Sequence, residues 1–596
     1  MQYLLLTLGH NSSASVVLPD GTVIGYEQER FDRIKSSSAF PVDCLAKLQS
    51  SGVLNRDEET EVYVTHWFDQ IGTENLENSK YFDYDQLTLF IRNYSVITVN
   101  ERCTHHDAHA YSAVKFAECH NYFSQVEGQT HVLVADGFGN GQEVISLYSL
   151  NEFRQPRIEG KIYGYQSSLG LMYQYATSFC GMKENRDEYK FLGYESHLRD
   201  VLPKEAREEF RKLLSEQGME FVVKLTKSKS PVDLPENLGG TSHFDLINFA
   251  YLNKVREEWH AMFTGWLNFL EAIEPTFHHG FCKDMDEFKT RVIVGYGVQY
   301  LIEIILSSLV RSHNVENLIT CGGVFYNVKL NNKLLRTIDG LYCTNPINGD
   351  QGCGLGLFAC YNPTHPLNMQ GLIFGSLEDL DEYNAELVDP EFRGNILFGS
   401  ESSDFVVEVV RGLINRNEVV NVKRRGQEFG PRALCHTSTL ALPTASNAAV
   451  INRLNNRNEV MPMAPVMTGK TLASTYDAEQ WSRVVGSDQY MIMTYHLSAR
   501  SSREDVLADI SGVVHQDPED PEVRTSRPQV ITQDTDEFMF KILKSTPREM
   551  LINTSFNYHG EPIILTDENA LQTFNLQCRR AVAQGLKLPY LVLLNN

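Results

Sequence analysis

Two stretches of this chain share one grammar, and it restricts the fold more than any other feature. The apolar runs Tyr3–Leu8 and Ser15–Leu18 flank the small polar loop Gly9-His10-Asn11-Ser12, and Pro19-Asp20-Gly21 then turns the chain into Thr22–Tyr26. A hundred or so residues on, His131–Ala135 leads through Asp136-Gly137-Phe138-Gly139-Asn140-Gly141 into Glu143–Leu150. Apolar runs bounded by Gly, Asn, Asp and Pro read as strands joined by tight turns. A third unit, Asn317–Thr320 followed by Cys321-Gly322-Gly323-Val324, ends a strand in glycines, which permit close backbone approach to a ligand. A fourth loop is Asn345-Pro346-Ile347-Asn348-Gly349-Asp350-Gln351-Gly352. Between the second and third units, residues 160–310 carry mainly helical periodicity, with charged faces such as Pro203–Gln217. Strands and helices alternate again from Asn395. The class expected is α/β, with a boundary near 365–395 at Asn362-Pro363-Thr364-His365-Pro366 and thus units 1–370 and 371–596. The Asp-, Pro- and Gln-rich stretch 514–535 is expected to be an exposed loop.

Length and charge narrow the function. At roughly 150 residues per domain, 596 residues predict more than one domain. Lys and Arg number 53 against 76 Asp and Glu, a net charge of −23, which argues against a diffuse phosphate-binding surface while leaving room for a local basic cleft. The eleven cysteines form no C-x-x-C pair, which points to free thiols and a cytoplasmic, reducing location. The N-terminal run lacks a basic region and a cleavage site, so no signal peptide is expected. Val292–Val310 is the longest apolar stretch, but it contains Gln299 and Glu303, so it reads as a buried helix and no membrane contact is expected.

The clearest chemical pattern is His105-His106-Asp107-Ala108-His109. On a helix His105 and His109 lie four residues apart on one face, a spacing that suits a divalent metal. Asp136 and Asp350, each in a glycine-rich loop after a strand, are the carboxylates that would complete such a site; His106 points elsewhere. A His and Asp set suits iron, manganese or zinc more than calcium. The plain alternative is a solvated histidine-rich helix start. In Glu428-Phe429-Gly430-Pro431-Arg432-Ala433-Leu434 an arginine sits in a constrained loop, and Arg binds phosphate or carboxylate with two parallel hydrogen bonds. Asn553-Thr554-Ser555-Phe556-Asn557 offers amides and hydroxyls for a small planar polar group. A surface ion pair and a turn are the plain alternatives here. His10 ends the first strand, where a histidine can act as a general base, and Lys35 follows an acidic and basic run from which it could neutralise phosphate. There is no G-x-x-x-x-G-K-[ST] loop, G-x-S-x-G elbow or H-E-x-x-H helix.

Taken together, the blocks G-H-N-S-S-A-S (9–15), E-Q-E-R-F-D-R-I-K (27–35), H-H-D-A-H-A (105–110), D-G-F-G (136–139), S-L-G-L-M-Y (168–173), C-G-G-V-F-Y-N (321–327), G-D-Q-G (349–352), E-F-G-P-R-A-L (428–434) and N-T-S-F-N-Y-H-G-E-P-I (553–563) resemble the O-carbamoyltransferases of nodulation-factor, cephamycin, ansamycin and tobramycin biosynthesis. The resemblance implies an actin-like (sugar-kinase/Hsp70-like) N-terminal domain that binds metal and nucleotide and carries out carbamoyl transfer. It also implies a YrdC-like C-terminal domain that makes carbamoyl adenylate from carbamoyl phosphate and Mg-ATP, with a hydroxyl acceptor attacking afterwards. By the same resemblance Arg432, Arg457, Ser555 and Asn557 hold carbamoyl phosphate. His105, His109, Asp136 and Asp350 hold a metal, Fe2+ before Mn2+ or Zn2+, and Gly322, Gly323 and Asn327 line the nucleotide. Lys35 meets phosphate, and His10 deprotonates the acceptor. Lys35 and Arg432 are thus expected as buried cations.

The chain also departs from that pattern. Cys435 and Thr437 stand where the family often has Gly and Arg, and Asn455–Pro465 replaces a block that usually carries a lysine and a further arginine, with Met461 among the replacements. Lys423 or Arg425 is expected to substitute for the missing charge. The acceptor stays open between a natural-product sugar, a polyketide, a toxin and a 5-hydroxymethyl pyrimidine nucleotide or DNA base, as does a homodimer. An actin-like ATPase or kinase, and a catalytically silent nucleotide-binding homologue, are the competing readings.

Overall fold

The computed structural model describes residues 1–66, 81–225, 241–274, 285–375, 384–457, 463–518, 520 and 522–595. Asn458–Met461 of the divergent block, and Pro462 after it, lie outside the described residues.

The first strand cluster folds as β1 (Gln2–Thr7), β2 (Ser13–Val17) and β3 (Val23–Glu27), an antiparallel meander, to which β4 (Thr60–Thr65) and β5 (Tyr94–Thr98) add in parallel on the other side of β1. The sheet order is β3-β2-β1-β4-β5. The second cluster repeats it: β6 (Thr130–Ala135), β7 (Glu143–Leu150) and β8 (Pro156–Tyr163) form the meander, and β9 (Asn317–Cys321) and β10 (Tyr342–Thr344) pair in parallel beyond β6, giving β10-β9-β6-β7-β8. One five-strand plan used twice is the duplicated core of the actin-like fold expected from the sequence. The apolar patterning explains why these segments become central strands. β1 sends Leu4 and Leu6 into one hydrophobic cluster and Leu5 into another, so both of its faces are covered, and every residue of β6 is buried. Strands covered on both faces read as continuous apolar runs rather than alternating ones.

Between the sheets run the helices His105–Cys119 and Cys353–Tyr361. They touch at backbone distance: a Cβ on Gly356 would lie 1.7 Å from the Ala108 carbonyl oxygen, so only glycine fits at this crossing. The apolar stretch around Val292–Val310 lies in the helix Met285–Ser312, with Val292, Ile293, Val298, Ile305 and Leu306 fully buried. Among the described residues this is one helix long and apolar enough to span a membrane by length and composition, yet most of it packs inside the protein.

The C-terminal part is built on β11 (Ile396–Ser400), β12 (Val420–Lys423), β13 (Thr437–Ala441) and β14 (Ala464–Thr468). The short strands β15 (Tyr495–His496), β16 (His515–Gln516) and β17 (Arg524–Ser526) follow, then β18 (Gln529–Ile531), β19 (Met550–Ser555) and β20 (Tyr590–Asn595). Seven of them form a mixed sheet, β11-β20-β12-β13-β19-β14-β18, and β15-β17-β16 make a small separate one. The stretch 514–535 is therefore not the exposed loop expected: Ser526, Gln529, Val530 and Ile531 are buried, and β18 pairs in parallel with β14. Its Val530-Ile531 pair and its burial outweigh the polar composition, which is concentrated at Asp517–Glu522.

Besides apolar clusters of their own, such as that of Leu4 with Val64 and that of Val410 with Leu551, the actin-like and C-terminal parts share an interior. One hydrophobic cluster runs from Leu5 through Trp266 and Phe358 to Tyr490, Met550 and Ala581. The segment after Tyr476 docks on the actin-like part: Asn331 donates to the Ile492 carbonyl (2.9 Å), Asn332 to the Thr494 carbonyl (2.8 Å), and the Thr344 amide to Ser487 (2.8 Å). The ten described cysteines are free thiols.

Candidate active site

The helix that begins at His105 is fixed by its neighbours before it holds anything. Thr104 and Asp107 form a reciprocal capping box. The next amides are taken by the loop after β6, with the His105 N–H donating to Asn140 Oδ1 (2.7 Å) and the His106 N–H to Glu143 Oε1 (2.9 Å). Lys161 ties Glu143 (2.7 Å) to Asp107 (3.1 Å), and Tyr148 donates to Asp107 (2.7 Å). Asp107 is thus occupied by the cap, and His106 Nδ1 contacts Ser146 (2.8 Å).

This frame presents His105 and His109 on one face. Both Nε2 atoms lie 3.2 Å from Asp136 Oδ2, and they lie 3.5 and 3.9 Å from Asp350 Oδ1. The four residues expected as ligands therefore converge, although they come from a helix, a β6 loop and the turn before Cys353. Donor atoms of His105, His109, Asp350 and Cys353 also all lie within 4.8 Å of one another; Cys353 is the member that sequence reasoning missed. Asp136 is held by the third glycine-rich unit: the Gly323 amide donates to its Oδ1 (3.0 Å). Gly322 has φ +105° and its absent Cβ would lie 2.3 Å from the Ala135 carbonyl oxygen, so this close approach requires glycine. Tyr326 joins the third and fourth loops, its hydroxyl accepting from the Gly349 amide (3.0 Å) and Gln351 (2.6 Å).

The electrostatics of this cluster call for a cation. Burial opposes charge on His105, but Asp350 and Asp136 outweigh it and push its pKa up to about 10. Burial likewise opposes ionisation of Asp136 and Asp350, yet the imidazoles hold Asp136 well below the ordinary carboxylate range, and His10 and His105 lower Asp350. Among the described residues Asp350 Oδ2 and His105 Nδ1 are buried without a hydrogen-bond partner. Two buried carboxylates with two imidazoles, some of whose lone pairs are unused, fit a divalent transition metal. His10 stands beside them, its Nδ1 3.6 Å from Asp350 Oδ2 and its side chain 44% exposed.

On the facing side lies the loop Glu428–Leu434. Glu428 is fully buried and accepts the amides of Leu434 (3.1 Å), His436 (3.0 Å) and Thr437 (2.8 Å), folding the loop back on itself. The loop is gripped from the actin-like part. Arg30, 1% exposed, donates to Glu27 (2.9 Å) and to the Gly430 carbonyl (2.6 Å), while the Gly430 amide donates back to Glu27 (3.0 Å). These contacts aim Arg432 into the cleft. Arg457 is locked by Thr554 (2.5 Å), the Ser555 carbonyl (2.7 Å) and hydroxyl (3.1 Å), and Asn557 Oδ1 (2.8 Å). Arg527 is the third cation on this wall, and sequence reasoning missed it because it lies in the stretch read as loop. Burial lowers all three guanidiniums, Arg457 to about 10 and Arg527 well below its ordinary value, with Arg432 adding to the lowering of Arg527. Clustered, desolvated arginines of this kind attract an anion. Lys423 does not take part as expected, because its Nζ turns to Asp567 (3.6 Å), and neither it nor Arg425 is among the residues lining the cleft.

One cavity of about 1220 Å³ is lined by His10, Lys35, Asp136, Gly323, Asn327 and Asp350 on one side and Arg432, Arg457, Arg527, Ser555 and Asn557 on the other. His105, His109 and Gly322 stand just behind its wall. Lys35 and Arg432 are half-buried rather than buried; Lys35 sits 4.4 Å over the Tyr189 ring at the rim. Asn327 lines the cavity, but its amide caps the following helix through Leu330 (3.1 Å) and pairs with Gln299 (2.6 Å), so it acts through position rather than as an unengaged amide.

Residues 412–585 match the family described as the carbamoyltransferase C-terminus. Along nearly its whole length the chain is similar to an uncharacterized protein of Methanocaldococcus jannaschii, with 24% identity over 583 residues and 95% of each chain covered. It is also similar to the nodulation protein NolNO of Sinorhizobium fredii, with 25% identity over 611 residues, covering 95% of this chain and 76% of the other. Among solved structures, component A of (R)-2-hydroxyglutaryl-CoA dehydratase from Acidaminococcus fermentans aligns over 61% of this chain and 98% of its own, at 10% identity and a TM-score of 0.28.

Proposed function

We propose that this chain, whose residues 412–585 form a carbamoyltransferase C-terminal domain, is an ATP-dependent O-carbamoyltransferase. The observation that carries the reading is the pairing of two walls in one cavity: a three-arginine wall with Ser555 and Asn557, and a carboxylate and imidazole cluster facing it. Carbamoyl phosphate is a small planar amide bearing a phosphate, and Arg432, Arg457 and Arg527 match its charge while Ser555 and Asn557 match its amide. Water first releases its phosphate and leaves carbamate, whose oxygen then attacks the α-phosphorus of ATP and displaces pyrophosphate, giving carbamoyl adenylate. The acceptor hydroxyl then attacks the carbamoyl carbon, the carbon–oxygen bond to AMP breaks, and His10 takes the hydroxyl proton. Lys35, at the rim, meets the nucleotide phosphates as a point charge. His105, His109, Asp136 and Asp350 would hold the divalent ion, which supplies electrostatic stabilisation to developing charge on phosphate oxygens when bound.

The test is pyrophosphate release from ATP by purified protein, with and without carbamoyl phosphate. Release that requires carbamoyl phosphate supports the reading. ADP and phosphate formed without carbamoyl phosphate, in place of pyrophosphate, point to an ATPase, and phosphate rather than carbamate in a product identifies a kinase. Units 1–370 and 371–596 would then divide the work, carbamoyl transfer in the first and adenylate formation in the second. Screening hydroxylated sugars, polyketides and hydroxymethyl pyrimidine nucleotides for carbamate formation identifies the acceptor class.

A further inference from the structure

One buried group beside the metal cluster has no assigned work, the thiol of Cys353. This residue opens the helix Cys353–Tyr361 directly after the turn Asp350–Gly352, and it is fully buried. Its Sγ makes no hydrogen bond among the described residues, yet it lies within 4.8 Å of the donor atoms of His105, His109 and Asp350. Cys321 makes the contrast. Its Sγ stands 3.5 Å from His109 Nδ1, the nitrogen facing away from the carboxylates, and receives a hydrogen bond from Asn345 (3.6 Å). Cys321 supports an imidazole from behind, whereas Cys353 faces the donor set. Two ligands about 2.0–2.3 Å from one ion stand at most about 4.6 Å apart. Donors already within 4.8 Å need only small side-chain shifts to share an ion. The fixed crossing at Gly356, one turn along the same helix, keeps Cys353 beside the histidine helix.

We propose that Cys353 Sγ is a ligand of the metal held by His105, His109, Asp136 and Asp350, making a centre of two nitrogens, two carboxylates and one thiolate. This rests on the metal-binding reading of that cluster. The thiol proton leaves to solvent as the metal–sulfur bond forms, and nothing is oxidised or reduced. The consequence is selectivity. A thiolate favours Fe2+, Co2+ or Zn2+ over the hard ions Mg2+ and Ca2+, so the magnesium that accompanies ATP does not compete for this centre.

Cobalt is the probe. Full-length protein loaded with Co2+ is expected to show visible ligand-field bands together with a near-ultraviolet sulfur-to-cobalt charge-transfer band. Cys353→Ser should keep the visible bands, lose the near-ultraviolet band, and retain cobalt at least roughly tenfold more weakly, the lower end of what even outer partners of a metal site contribute. Cys321→Ser should keep both sets of bands. Visible bands without the near-ultraviolet band in the unaltered protein, or survival of that band in Cys353→Ser, overturn the proposal while the metal centre stands. Failure of the unaltered protein to bind cobalt at all removes the metal reading and the proposal together.

Discussion

The two walls of the cleft are electrostatic opposites. On one, carboxylates outnumber what the imidazoles balance, and the resident groups respond by holding protons: His105 is pushed up to about 10. On the other, Arg432, Arg457 and Arg527 line the same cavity, and burial lowers each of them. The first wall is short of a cation and the second of an anion. Each wall is therefore electrostatically suited to a ligand of the opposite charge. The difference also separates the roles: removing a residue from one wall should damage a different half of the reaction from removing one on the other.

The strongest way to break the comparison is Arg432→Ala. If the arginine wall forms the adenylate, carbamoyl phosphate-dependent pyrophosphate release should fall by about 10³–10⁵, the range for an arginine that stabilises a transferring phosphoryl group; near-normal release would move adenylate formation elsewhere. His10→Asn, on the opposite wall, should leave pyrophosphate release intact while slowing carbamoyl transfer to the acceptor by about 10²–10⁴. Equal loss of both steps would erase the distinction between the walls. Arg30→Ala tests what holds the walls in register. It leaves Glu27 buried without its cation and with the Gly430 amide alone, and denaturant unfolding should show a loss of about 3–5 kcal/mol.

The smallest effect lies behind the cation-seeking wall. Burial pushes the Glu303 carboxyl up to about 7, with Glu195 contributing. Because its folded pKa exceeds the unfolded one, the folded state binds the proton more tightly. The stability from this group is present below the unfolded value near 4.5 and is lost as pH rises through about 7. Glu303→Gln should raise Tm relative to the unaltered protein by about 1–3 °C at about pH 8 and by less at about pH 5; a pH-independent difference would contradict it.

Much of this was legible locally. The strand, loop, strand units needed only apolar runs and turn residues, and the helix spacing of His105 and His109 needed only five residues of sequence. What was not legible depends on contacts distant in sequence. Cys353 has no pattern around it; it becomes notable only when the Asp350 turn packs on the histidine helix. Arg527 was hidden by the polar composition of 514–535, which the pairing of β18 with β14 overrides. Glu428 looked like one charge among many, and three backbone amides make it the organiser of the Arg432 loop.

The shared interior has a practical consequence. Leu5, Phe358, Tyr490 and Met550 belong to one apolar cluster, so cutting the chain near residue 370 would expose an unpaired oily face on each fragment. Separately expressed halves are expected to aggregate, co-expressed halves to rescue each other, and the intact chain to melt in a single calorimetric peak. On the proposed function the boundary near residue 370 would mark a change of chemistry, while heat and proteases should meet one body.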